Sequence, residues 1–281
     1  MKRSYLDLSR DEEEHALALH RDSIVIDASI VPFIHYVGED IWIDDVLRGG
    51  VTATNATVCM QRTMGEALRE LSEYHDWIEK HGEKALLVRR ASDIEKAKEE
   101  GRHGIVFGPQ NSSFLEGDTR FLDVAWEWGV RIIQICYSER NEAADGCSER
   151  TDAGLSNFGV ELIEAMNRKG VLVDLSHVGD RSTMEAIDVS RDPVAFTHVC
   201  PRATTPLEDS PYALWAGEWF KEFARRRGRT DEALQACAEK GGVIGITPFF
   251  AKKAGPSKTT PSSSWASTTS ASARTSTSAT P

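Results

Sequence analysis

The sequence predicts an α/β fold, a (β/α)8 TIM-like barrel that lacks its eighth strand. Three observations lead there. Short Val- and Ile-rich runs alternate with amphipathic segments, as βα units around a parallel sheet do. Seven such units fall within residues 1–253, near the count and the roughly 250-residue length of an eightfold barrel. An open dinucleotide-binding sheet would need a G-x-G-x-x-G turn after its first strand, and here that strand runs into Ala28-Ser29-Ile30-Val31-Pro32.

In chain order, the strand candidates are residues 24–27, 51–59, 104–108, 131–136, 171–175, 194–198 and 243–247, each a short run rich in Val, Ile or Thr. A further short run at 86–88 fits a side strand. Helical periodicity occupies 64–81, where Ala67, Leu68, Leu71 and Trp77 share a stripe, and then 92–101, 119–129, 157–169, 182–189 and 230–240. Ser92-Asp93-Ile94-Glu95 and Thr230-Asp231-Glu232-Ala233 read as helix starts, with a hydroxyl to accept from the first free N–H groups.

Composition narrows the function. The chain has 281 residues, 40% of them hydrophobic, and a mean hydropathy of −0.37, as expected of a soluble globular protein. No run approaches the roughly 18–20 apolar residues of a bilayer span, and the first 20 residues lack a signal-peptide core, so a cytoplasmic protein without a membrane partner is expected. Residues 1–253 carry 31 basic and 44 acidic groups, a surface that repels phosphate backbones and disfavours nucleic acid. Five widely spaced cysteines without a CxxC pair read as reduced, buried thiols. From Ala254 the chain changes character: 16 of its last 28 residues are Ser or Thr. The expected division is a barrel domain over 1–253 and a disordered tail over 254–281, either a native tail or a frame-shifted replacement of the native end. A barrel short of one strand leaves two unpaired edges, which predicts self-association.

Two histidines stand where barrel chemistry gathers. His177 and His198 each close an apolar run, in Val-Asp-Leu-Ser-His and Val-Ala-Phe-Thr-His, so both fall at the carboxyl ends of strands. Neighbouring strand ends can bring two imidazoles onto one metal ion; a hydrogen-bonded structural role is the other reading. Cys200, two residues on from His198, is a soft third ligand or a buried thiol.

The strings DAGLSNFG (152–159), EAMNRKGVLVDLSHVG (164–179), PVAFTHVCPRA (193–203) and RTDEALQACAEKGGVIGI (229–246) resemble the renal (membrane) dipeptidase family of zinc metallopeptidases. The resemblance implies a barrel of the metal-dependent hydrolase type, with a binuclear zinc site that hydrolyses dipeptides and related small amides. It implies that His177 and His198 bind one zinc of the pair. Arg227 falls where the family grips the substrate carboxylate, although Gly228 replaces the accompanying Asn, and Tyr137 stands where the family often has a substrate-contacting His. Departures accompany these matches. The family's first strand ends in Asp-Gly-His-x-Asp, whereas this chain reads Asp27-Ala28-Ser29-Ile30-Val31, and the bridging carboxylate aligns with Gln110, a neutral amide. The Asp that ends the eighth strand belongs to the region occupied by the Ser/Thr tail. The expectation is therefore one zinc ion on His177 and His198 with Asp27 as third ligand, ahead of Asp174, whose side chain should face away from that of His177. Gln110, Tyr137 and Asn111 would line the pocket for a dipeptide-like substrate. The alternative is a degenerate barrel that binds a small ligand or partner without catalysis.

Overall fold

A computed structural model describes residues 8–30, 39–60, 62–204, 223 and 225–247 of the chain. Val31 and the Ser/Thr-rich segment 254–281 lie outside the described residues. Among these residues, all eight expected strands are present in two parallel four-stranded sheets. The first has the order β1(Ile26–Ile30), β2(Ala53–Val58), β4(His103–Pro109), β3(Ala85–Leu87). The second runs β5(Ile132–Gln134), β6(Leu172–Asp174), β7(Ala195–Val199), β8(Val243–Ile246).

β4 joins the two sheets because its far edge is divided. The first half pairs with β3, from Ala85 opposite His103 to Leu87 opposite Ile105. The second half meets the entry to β5 through a parallel Phe107–Val130 bridge, with the Arg131 N–H on the Phe107 carbonyl at 3.0 Å. The wall is thus β1-β2-β4-β5-β6-β7-β8, a barrel that is not closed between β8 and β1, and β3 is the side strand its length suggested.

β2 and β4 are buried along their whole length, as strands covered on both faces must be. Their outer faces are covered by α3(Met64–Lys80), whose Met64, Ala67, Leu71, Tyr74 and Trp77 are buried. A Thr63–Glu66 capping box starts this helix. The other helices are α1(Arg10–Asp22), α2(Glu39–Arg48), α4(Ala91–Glu100), α5(Phe121–Glu127), α6(Asn157–Lys169), α7(Asp180–Val189) and α8(Asp231–Glu239). Thr230 caps α8 as expected, its Oγ1 accepting from the Ala233 N–H at 3.2 Å. Ser92 does not cap α4; the Asp93 carboxylate does so instead, accepting from the Arg89 and Arg90 N–H groups at 2.8 and 3.0 Å. β1 also departs from its expected bounds, because Ile26 pairs with Ala53 and the strand continues to Ile30, so Asp27 lies within the strand rather than at its end.

The edges of the wall differ from its middle. Ile26 on β1 is 51% exposed, and Val243 and Ile246 on β8 are 66% and 62% exposed, although such residues usually lie inside. These apolar side chains flank the opening between β8 and β1. No helix among the described residues is long and apolar enough to cross a membrane. An exposed strand edge carrying apolar side chains associates readily, whereas charge on it opposes pairing. The chain should sediment as oligomers, and Ile26→Lys with Val243→Lys should shift it toward monomer; a monodisperse, cooperatively melting monomer of the unsubstituted chain would refute this.

Candidate functional site

The described strand ends of β6 and β7 bring the two histidines together. His177 Nε2 and His198 Nε2 lie 3.0 Å apart, with ring centroids 5.0 Å apart. Each ring is held from its other nitrogen. The Ser138 hydroxyl lies 2.7 Å from His177 Nδ1, and the Thr197 hydroxyl 2.8 Å from His198 Nδ1. Ser138 reaches its position with φ of 60°, a backbone conformation uncommon outside glycine, in a loop whose Ser148 N–H bonds the Ser138 carbonyl at 2.7 Å. Gly146 lets that loop fold back, since a Cβ there would collide with the Ser138 backbone.

Behind the histidines lies a buried carboxylate. Asp174, 2% exposed, accepts four hydrogen bonds: from Ser176 N–H and O–H at 3.0 and 2.6 Å, from Thr197 N–H at 3.1 Å and from Thr197 O–H at 2.7 Å. It bonds to Thr197, the residue beside His198. Arg227 is buried rather than solvated. Its guanidinium donates to the Ser176 and His198 carbonyls, the latter at 2.8 Å, and burial lowers its pKa to about 10. Arg229, fully buried, donates to the Val178 carbonyl and, at 2.8 Å, to that of Arg226.

Burial and the nearby Arg227 charge hold both imidazoles neutral. They lower His177 well below the usual histidine value and bring His198 down to about 4. Tyr137 stacks on His177, with centroids 4.1 Å apart and planes at 21°, and burial raises its phenol pKa. It therefore covers one face of the His177 imidazole, a contact the sequence did not suggest.

The remaining predicted residues take other positions. Gln110 donates both amide hydrogens, to Ser29 Oγ at 2.9 Å and Thr57 Oγ1 at 2.8 Å, which ties the ends of β1, β2 and β4 together. Asp27 shares a cleft of about 400 Å³ with His198, Ser29 and Thr247, and its Oδ1 accepts from the Ser29 N–H at 3.1 Å. Cys200 is buried, its thiol donating to the Thr247 carbonyl at 3.1 Å, and none of the five cysteines forms a disulfide. Among the described residues, no three His, Cys, Asp or Glu side chains converge as a metal site.

Among the described residues, the two imidazoles are the donors that suit a metal ion. Converging, neutral imidazoles whose Nδ1 atoms are hydrogen-bonded are what a metal ion requires of histidine ligands. At the ends of β1 and β4, the amide hydrogens of Gln110 point at two hydroxyls, an arrangement that offers a cation no anionic donor.

Sequence reasoning missed Ser138, whose positive φ leaves no mark in the sequence, and the part played by Thr197 and Asp174. Thr197 was legible as the hydroxyl residue directly before a strand-end histidine. A pH dependence follows from the buried imidazoles. Their folded pKa values lie below the unfolded value near 6.5, so the unfolded chain binds more protons between about 6.5 and 4. Stability is complete above that window and falls as the pH drops through it, by up to about 1.4 kcal/mol per pH unit for each histidine. Chelator-treated protein should melt progressively lower from pH 6.5 to pH 4.5, with a shallower fall in a His177→Gln, His198→Gln chain; equal slopes would remove the histidines from the account.

Comparison with known proteins places this geometry. The profile of the membrane dipeptidase family, peptidase family M19, matches residues 17–210. An uncharacterized dipeptidase of Schizosaccharomyces pombe is 31% identical over 166 residues, which cover 57% of this chain and 36% of that protein. The chain spans about a third to two fifths of the length of the curated relatives it matches. An amidohydrolase from Pseudomonas aeruginosa superposes with a TM-score of 0.71 at 34% identity, over 82% of this chain and 64% of that one. A metallopeptidase from Rhodobacter sphaeroides, solved with a phosphinate mimic of the dipeptide L-Ala-D-Ala, shares the fold with a TM-score of 0.67 at 17% identity, over 80% and 74% of the two chains. With its strand-end histidines, its parallel barrel wall and a family match over most of the described residues, this chain belongs to the membrane dipeptidase family.

Proposed function

We propose that this chain hydrolyses dipeptides or similar small amides at the mouth of the barrel, with one metal position centred on His177 and His198. The supporting observation is the 3.0 Å approach of two neutral imidazole Nε2 atoms at adjacent strand ends. Zinc bound there would supply a Lewis acid and a water of lowered pKa. Asp27, which borders the same cleft as His198, is the proposed third ligand. Arg227 adds positive potential beneath the site, suited to a substrate carboxylate, while two of its donors hold the Ser176 and His198 carbonyls. Tyr137 walls the pocket against His177, and Gln110 presents its amide among Ser29 and Thr57 where a small polar substrate would lie.

A specific observation favours a second reading, a barrel that binds a small amide without cleaving it. Gln110 and Ser29 stand at positions where the family resemblance implies metal-binding groups, and Gln110 spends its amide hydrogens on the Ser29 and Thr57 hydroxyls, so among the described residues this part of a two-ion centre is neutral. The two readings separate on one preparation. Purified chain should contain one zinc by mass spectrometry, lose it in His177→Ala and in His198→Ala, and hydrolyse members of a panel of dipeptides and N-acyl amino acids. Folded protein that holds no zinc, or that binds panel members without turnover, establishes the second reading instead.

A further inference from the structure

We propose that Asp174 is a positioning residue, acting through the Thr197 hydroxyl to fix His198 in the tautomer whose lone pair lies on Nε2. The role rests on the reading of His177 and His198 as the ligand pair. Counting protons leads to it. The Ser176 and Thr197 hydroxyls lie 3.1 Å from each other but 2.6 and 2.7 Å from Asp174, and since a carboxylate offers only acceptors, both turn their hydrogens onto it along the shorter contacts. A hydroxyl has one hydrogen. Thr197 Oγ1 therefore meets His198 Nδ1 as an acceptor across 2.8 Å, and Nδ1 carries the proton. A neutral imidazole has a single N–H, which leaves Nε2 as a bare acceptor 3.0 Å from His177 Nε2.

The opposite tautomer would set two lone pairs against each other at Thr197 Oγ1 and His198 Nδ1, and leaving such partly buried acceptors unpaired is costly. The same carboxylate fixes the backbone that carries the ring. Thr197 N–H bonds Asp174 Oδ1 at 3.1 Å, and His198 N–H bonds the Ser176 hydroxyl, itself held by Asp174, at 3.1 Å. His177 is held differently. Its Nδ1 meets the Ser138 hydroxyl, a rotor that donates or accepts as required, so in the metal-free pair His177 Nε2–H donates to His198 Nε2. His198 is the fixed member of the pair and His177 the adjustable one.

The test uses the full chain, with nitrogen-15 NMR of labelled histidine in metal-free protein and titration with Zn²⁺ alone. The unsubstituted chain should show His198 protonated on Nδ1. Thr197→Val should give a mixed or Nε2–H population and weaken Zn²⁺ binding by about 10- to 100-fold, the usual effect of losing the hydrogen-bond partner of a ligating histidine. Thr197→Ser should restore both, which a purely structural role for the threonine methyl would not. Asp174→Asn, whose amide turns donors toward Thr197, should act in the same direction. An Nε2–H His198 in the unsubstituted chain overturns the proposal, as does a Thr197→Val chain with unchanged tautomer and Zn²⁺ affinity. Absence of Zn²⁺ binding beside an Nδ1–H His198 that Thr197→Val disturbs overturns the ligand reading and upholds the positioning role.

Discussion

A carboxylate buried between two strands constrains everything around it. Isolated in an apolar interior, the charge of Asp174 would be prohibitively costly, and it is tolerable only while both oxygens keep their donors. Two of those donors are backbone N–H groups, at Ser176 and Thr197, so the requirement fixes the main chain where it leaves β6 and where β7 passes. The chain therefore turns at Ser176 and delivers His177 toward His198. Arg227 completes the arrangement from the other side by bonding the carbonyls of Ser176 and His198. The proximity of the imidazoles is thus a product of the backbone around one acid and one guanidinium.

Much of this could be read from the residues. Parallel strands buried on both faces must be continuously apolar or small, and runs such as 51–59 and 104–108 announce themselves for that reason. The strand-end histidines were legible because an imidazole directly after an apolar run lies at the carboxyl end of a strand, the face where a barrel gathers its chemistry. α1 left almost no trace: none of its residues is buried, so it has no apolar stripe to read, although the Ser9–Glu12 capping box was in plain view. Arg227 was legible as a charge but not as a buried one, because its burial depends on carbonyls 29 and 51 residues away in the chain. Asp27 reads as the end of a strand that in fact continues past it, because pairing with Ala53 and Thr54, rather than local sequence, sets the bounds of β1.

The two halves of the barrel mouth differ in chemistry. On the β6–β7 side stand basic and ionisable groups held neutral or buried: two imidazoles, two guanidinium groups and the acid behind them. On the β1–β4 side Gln110 joins neutral hydroxyls, with the Asp27 carboxylate beside them on the cleft.

That division coincides with the divided edge of β4. β4 meets the entry to β5 through one backbone bridge, at Phe107 and Val130, beyond the stretch His103–Ile105 that β3 occupies. Each four-stranded sheet keeps its own ladders, and what joins the halves across this seam is side-chain packing, since Val58 and Phe107 of one sheet share a single core with Ile133, Val173 and Phe196 of the other. A molecule that touched Gln110 and His198 together would staple the seam, and occupancy of the mouth would then be felt as rigidity of the whole wall.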